Sequence, residues 1–221
     1  MNDVLDGPAD TVMMGIVHGA LRRDLARARL VLGEGPVAEP RRTALAEHLV
    51  WMMGFLHEHH EAEDTGLFPL ALAKDPTLAG LVEEMDVEHA AIVGAMDAVT
   101  AAARSWTGRP GEQDRLTRTL ESLEDVLLPH LAHEETVLMP RIAEVLTQRE
   151  WLAWDQETNV KPKKPTQLAF EGHWLIDSAT PDVRSKVVSL VPPVPRFVLV
   201  HLLGGPYRRR RAALWDDTAA A

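Results

Sequence analysis

An eleven-residue pattern occurs twice in this chain of 221 residues and limits how the chain can fold. Residues 59–69 read HHEAEDTGLFP, and residues 130–140 read HLAHEETVLMP. Both copies fit H-x-x-x-E-[DE]-T-x-L-x-P and begin 71 residues apart. Because the spacing is strict and His, Glu and Pro are each uncommon, the repeat indicates two similar segments with a shared purpose.

Apolar residues recur with helical spacing in four long stretches, which Gly and Pro residues separate. These stretches cover residues 11–32, 41–73, 78–103 and 112–146. Short connections favour antiparallel neighbours. The sequence therefore predicts an all-α protein, in which residues 11–146 form an up-down-up-down antiparallel four-helix bundle.

The helical pattern weakens after residue 146. A KPKKP segment is followed by helical fragments around residues 172–178, 183–190, 196–203 and 208–215. Trp151, Trp154, Trp174 and the apolar run 197–203 carry too much apolar surface to remain in water. Residues 150–221 are therefore predicted to be an appended, mostly helical C-terminal cap, which packs on the bundle or forms a dimer interface.

Composition excludes several classes of function. The chain has no Cys, so disulfides, thiolate chemistry and cysteine-ligated iron–sulfur clusters are excluded. Residues 1–160 carry 13 basic and 28 acidic side chains, whereas residues 161–221 carry 10 basic and 5 acidic ones. An acidic body argues against nucleic acid as a partner. The basic tail is expected to dock on that body or to be simply solvated. With no secretory signal and no membrane span, the expected location is the cytoplasm.

Helix geometry places several His and Glu side chains on the apolar faces. At roughly 100° per residue, Glu63 lies about 40° and His60 about 100° from His59, among core residues. Glu134 lies about 40° from His130 in the same way. The residues predicted to point inward from the four helices are His18, His59, His60, Glu63, His89, His130 and Glu134.

Two buried carboxylates in one small core require a partner, because each is costly without one. The predicted core-facing set contains no Lys or Arg, so a cation is the best candidate. Nitrogen-rich ligation with two carboxylates matches a pair of iron ions, with each Glu free to bridge. His57 and His133 are expected at the rim of the core, and His48, His173 and His201 show no relation to the set.

These residues resemble the hemerythrin-like family of HHE cation-binding proteins, whose bacterial members carry H…HHxxE…H…HxxxE. Here the pattern is met by His18, then His59, His60 and Glu63, then His89, then His130 and Glu134, within residues 11–146. The resemblance implies a non-haem di-iron centre with two iron ions, joined by an oxo or hydroxo bridge. Glu63 and Glu134 would be its bridging carboxylates.

One departure from the oxygen-carrying hemerythrins concerns the third helix. Those proteins have two His one turn apart there, but Met85 and Val93 occupy the positions four before and four after His89. His60 is the expected substitute; otherwise solvent completes the coordination. Pro129, directly before His130, predicts a kink or bulge that re-aims His130, and Pro69 and Pro140 predict bends near the helix ends.

Three functions fit such a centre. The site could bind dioxygen, nitric oxide or peroxide reversibly, turn over peroxide or act as an oxidase, or sense or store iron. No catalytic residue is assigned beyond the ligands, because Glu58, Glu61 and His133 are expected only at the rim. The predicted partner is a small-molecule ligand, with no nucleic acid and no membrane, and the predicted state is a monomer or weak homodimer.

Overall fold

Helices make up most of the protein in the computed structural model, which describes residues 5–191, 196–197 and 202–216. In chain order the α-helices are α1 (Val12–Gly33), α2 (Arg41–Ala62), α3 (Phe68–Lys74), α4 (Ala79–Arg104), α5 (Glu112–His133), α6 (Met139–Val145), α7 (Gln148–Asp155), α8 (Pro165–Leu175), α9 (Pro181–Ser189) and α10 (Gly205–Trp215). One π-helical turn, Glu63–Leu67, joins α2 to α3, and a second, Glu134–Leu138, joins α5 to α6. The described ranges contain no strand, so the all-α prediction is confirmed.

Local sequence signals set the ends of the long helices. The Asp75 carboxylate accepts a hydrogen bond from the Thr77 amide and starts the short 3₁₀ turn Pro76–Leu78 before α4. Gly108 and Gly111 have φ angles of 93° and 81°, which other residues rarely adopt, in the connection between α4 and α5. The four long helical segments therefore lie within a few residues of their predicted positions.

The long helices pack around two apolar clusters. Helix α4 lies against α5 and α2, and α1 lies against α5. The larger cluster contains Leu21, Leu56, Ile92 and Leu127, one from each long helix. The smaller cluster contains Met14, Leu67, Met85 and Leu138. On each helical segment, the predicted inward His and Glu residues lie between these two clusters.

The C-terminal helices share the core of the long helices. Trp174 on α8 and both Tyr207 and Leu214 on α10 are buried in the larger cluster. Trp151 and Trp154 on α7 are buried in the smaller one. The predicted helix at 196–203 is described only at 196–197 and 202–203, and residues 198–201 lie outside the described residues.

A buried polar network fixes α8 to α1 and α2. The fully buried Asp24 carboxylate accepts a hydrogen bond from the Trp174 indole at 2.8 Å and lies 2.8 Å from His48 Nε2. Burial opposes ionisation of Asp24, but its hydrogen bonds to His48 and Arg23 lower its pKa. His48 was not assigned a role from sequence; it is buried and serves this network.

The basic C-terminal residues pair only partly with the acidic body. Arg210 lies 3.5 Å from Glu47 on α2. Arg211 instead pairs with Asp177 and Asp216, which belong to the same C-terminal part. None of the described helices is both long and apolar enough to cross a membrane.

Candidate metal centre

Both copies of the repeated motif adopt the same irregular local structure. Each π turn begins at the motif Glu and ends at the motif Leu, as Glu63–Leu67 and as Glu134–Leu138. The Thr hydroxyls of the two copies donate to backbone carbonyls four residues earlier, at 2.6 Å to Glu61 and 2.7 Å to Ala132. Such turns interrupt α-helices frequently at functional sites.

The proline of each motif copy explains why the α-helix changes to a π turn just before it. Pro69 and Pro140 have no amide hydrogen, and in an α-helix their rings would crowd the carbonyl four residues earlier. Each follows its π turn by two residues, and the α-helix then continues for one to two more turns. The structure shows a change of helix type just before each of these prolines, in the π turns. Pro129 lies within α5, which remains α-helical to His133, so no bulge occurs at Pro129 itself.

The structure brings all seven predicted site residues together, and every one of them is buried. Their donor atoms form two groups, within each of which the atoms lie at most 4.8 Å apart. The first group contains His18, His59, Glu63 and Glu134, and the second contains His60, His89 and His130. Each group has the size and donor types that a metal ion requires.

Glu63 reaches toward both groups. One of its oxygens lies 3.2 Å from His59 Nε2, and the other lies 3.7 Å from His89 Nε2. Glu134 approaches the first group, with one oxygen 3.3 Å from His18 Nε2. Glu63, placed in this way, can contribute one oxygen to each of two neighbouring cations.

Carboxylates from other helices orient three of the imidazoles. Asp64 lies 2.7 Å from His89 Nδ1, Glu135 lies 2.9 Å from His18 Nδ1, and Glu88 lies 2.8 Å from His130 Nδ1. A carboxylate at Nδ1 favours the tautomer that carries its hydrogen there, which leaves the Nε2 lone pair free to bind a metal. His18 Nε2 faces Glu134 and His59, His89 Nε2 faces Glu63, and His130 Nε2 is buried without a hydrogen-bond partner among the described residues.

None of these three carboxylates is among the seven site residues predicted from the sequence. Asp64 and Glu135 occupy the same position of the repeated motif, directly after the inward Glu. The shared acidic residue at this position was therefore a signal in the sequence. Glu88, next to His89, had no comparable signal, because its partner lies on α5.

His60 belongs to the second donor group, with His89 and His130. Its ring stacks on that of His89, with centroids 4.0 Å apart and planes 11° apart. It also meets the His130 ring edge-on at 5.2 Å. Both of its ring nitrogens are buried and without a hydrogen-bond partner among the described residues.

The electrostatics of the site favour a bound cation. Burial, followed by the charge of Glu134, raises the pKa of Glu63 well above its usual value. Burial lowers the pKa of His59 and of His60. Both oxygens of Glu63 and of Glu134 are buried without a hydrogen-bond partner in the described part of the chain. Cations at the two groups would satisfy these atoms, so the donor set fits a metal centre.

The rim residues lie as predicted. His57 is exposed, and His133 has about a quarter of its side chain exposed (26%) and lies 2.8 Å from Glu88. Glu58 and Glu61 are also exposed. His173 lies in α8 and belongs to neither donor group, and His201 lies outside the described residues.

Comparison with protein families identifies the domain. The family described as the hemerythrin HHE cation-binding domain matches residues 13–142, more than half of the chain. The chain belongs to the hemerythrin family. The matched range contains both copies of the motif and all seven site residues, so a cation-binding domain with a His/Glu cluster is supported. Searches of curated proteins and of solved structures gave no match to this hemerythrin-family chain.

Proposed function

We propose that this protein is a non-haem di-iron protein that binds dioxygen, or a related small ligand such as nitric oxide or peroxide. The observation that carries the proposal is the position of Glu63 between the two donor groups, with one oxygen facing each. Two bound irons would supply the electrons and the open coordination positions that hold such a ligand.

Each of the two donor groups would supply the His ligands of one iron. His18 and His59 would bind one iron, and His60, His89 and His130 would bind the other. Glu63 and Glu134 would bridge them, with an oxo or hydroxo bridge completing the pair. Asp64, Glu88 and Glu135 hold three of the imidazoles in the orientation that this arrangement needs.

The two apolar clusters support the proposed bundle topology. Along the chain, α1 leads from the smaller cluster at Met14 to the larger at Leu21, and α2 leads back toward Leu67. Helix α4 again leads from smaller to larger, and α5 returns to Leu138. This alternation of direction supports an up-down-up-down antiparallel bundle.

We also propose that residues 11–146 form the metal-binding domain and that residues 150–221 form a helical cap on it. The matched family range and the C-terminal helices that pack on α1 and α2 support this division. The proposal includes a cytoplasmic location and a monomeric or weakly dimeric state. It includes no nucleic-acid partner, because the body of the protein is acidic.

The lining of the site favours reversible binding. Buried apolar residues precede the His donors by one or two helical turns, namely Met14, Met52, Leu56, Met85 and Leu127. Apolar walls keep water and its protons from a bound ligand, which limits side reactions.

An enzyme that decomposes peroxide is the alternative, and one observation favours it. Glu88 lies 2.8 Å from both His130 Nδ1 and His133 Nδ1, and His133 is partly exposed. This chain of groups could carry protons between solvent and the site, as acid–base catalysis requires. Iron sensing or storage is a further alternative, for which the seven ligands alone would suffice.

Iron-loaded protein can decide between these functions. A binding protein should show a spectrum that cycles without loss when dioxygen or nitric oxide is added and removed. An enzyme should instead consume many equivalents of hydrogen peroxide per iron pair. Turnover that is lost in both Glu63→Ala and His133→Ala would overturn the proposal of reversible binding.

A further inference from the structure

A cavity of about 270 Å³ lies between α2 and α8. Trp51, Gly54, Phe55 and Glu58 line it from α2, and Gln167 and Glu171 line it from α8. The volume suits a few water molecules or a small ligand and is below the range of drug-sized sites. One lining residue, Phe55, also contacts the ring of the site residue His59.

We infer that this cavity is the entrance by which small neutral ligands reach the metal centre, and that Phe55 is the gate between them. The inference rests on the proposed function, since it requires ligands to bind at the centre. It adds a route, a gating residue and a preferred ligand class.

The position of Phe55 supports the gate. Its ring lines the cavity and stacks on the His59 ring, with centroids 6.4 Å apart and planes 16° apart. His59 is the most exposed of the seven site residues, at 8%, whereas the others are 0–4% exposed. Phe55 is therefore a residue that both lines the cavity and contacts a site imidazole.

The C-terminal part of the chain holds this ring in place. The Lys163 ammonium group lies 5.3 Å from the centre of the Phe55 ring, 2.9 Å from Glu171 and 3.5 Å from Glu58. Trp174 contacts Phe55 edge-on at 4.8 Å. Movement of Phe55 away from His59 must therefore displace contacts with the C-terminal segment.

The charges around the cavity select against anions. Lys163 pairs with both the buried Glu171 and the half-exposed Glu58, so one positive charge faces two carboxylates. One carboxylate then remains uncompensated, and it repels an entering anion while leaving a neutral ligand unaffected. Dioxygen, nitric oxide and hydrogen peroxide are neutral at physiological pH, whereas azide is an anion.

Stopped-flow measurements on the full, iron-loaded chain test the gate. The probes are nitric oxide with reduced protein and azide with oxidised protein. Phe55→Leu should raise the association rates of both by about threefold to tenfold, which corresponds to a lowered entry barrier. Phe68→Leu is the matched control, because Phe68 also stacks on a site imidazole, that of His89 at 5.8 Å, but does not line the cavity.

A charge variant tests the selectivity. Glu58→Gln should raise the azide association rate by about two- to threefold and leave the nitric oxide rate unchanged. Glu61→Gln, an exposed carboxylate on the same helix outside the cavity lining, should change neither rate.

The outcomes separate the entrance from the proposed function. A wild-type chain that retains no iron would overturn the proposed function. If the variants retain iron as the wild type does, equal rates in wild type and Phe55→Leu would overturn the entrance. The same faster rates in Phe68→Leu would also overturn it, because loosened packing around any imidazole would then be the cause.

Discussion

Asp64 should determine how tightly the second donor group binds its metal. Its carboxylate lies 2.7 Å from His89 Nδ1, and the His89 ring is buried while Asp64 is 39% exposed. A hydrogen bond to a charged group contributes about 1.5–3 kcal/mol. Because Asp64 is partly exposed to solvent, its hydrogen bond should contribute near the lower limit of this range. Asp64→Ala should therefore weaken metal binding about tenfold. Asp64→Asn keeps an acceptor and loses only the charge, so it should weaken binding less.

Competition with a chromogenic chelator measures this affinity in wild type, both Asp64 variants and Glu61→Gln. The expected order of affinity is wild type, then Asp64→Asn, then Asp64→Ala, with Glu61→Gln equal to wild type. Melting temperatures of the metal-free proteins should remain close to each other, because Asp64 is partly exposed. Wild-type affinity in Asp64→Ala would refute the idea that this carboxylate orients His89.

Three further predictions concern stability. Chelation should lower the melting temperature, since ligands from four helices make metal binding stabilise the folded chain; an unchanged midpoint in verified metal-free protein would contradict this. Gly66→Val should destabilise the protein by about 1–3 kcal/mol in denaturant melts, because a Cβ there would lie 2.8 Å from the Trp154 ring. Val137→Ala, at the matching exposed position of the second copy, should have little effect. Truncation after Leu146 should expose the core that Trp174, Tyr207 and Leu214 cover and give an unstable or aggregating product; a soluble monomer with normal melting would show that the C-terminal part does not stabilise the domain.

The regular part of the site could be predicted from sequence, because helix periodicity alone decides which side chains share a face. His18, His59, His89 and His130 each lie on an apolar stripe of a long helix, and each is buried in the structure. The repeated motif places each Glu four residues after its His, so the inward direction of both Glu side chains could be predicted as well.

Features that depend on contacts between distant segments were not predictable in the same way. The position of Asp64 at His89 depends on the π turn and on how α2 packs against α4. The buried Asp24 carboxylate accepts a hydrogen bond from Trp174, which is 150 residues later in the chain. His48 is different, because helix geometry places it within roughly 20° of His59, so its burial was predictable.

The central claim is that Glu63 and Glu134 hold a pair of iron ions, and iron content tests it most directly. Iron-loaded wild-type protein, freed of loosely bound metal, should contain about two irons per chain by elemental analysis. Glu63→Ala and Glu134→Ala should each lose the pair, because each would remove a carboxylate whose oxygens are fully buried among the imidazoles. Wild-type iron content in either folded variant would contradict the bridging role and the di-iron centre built on it.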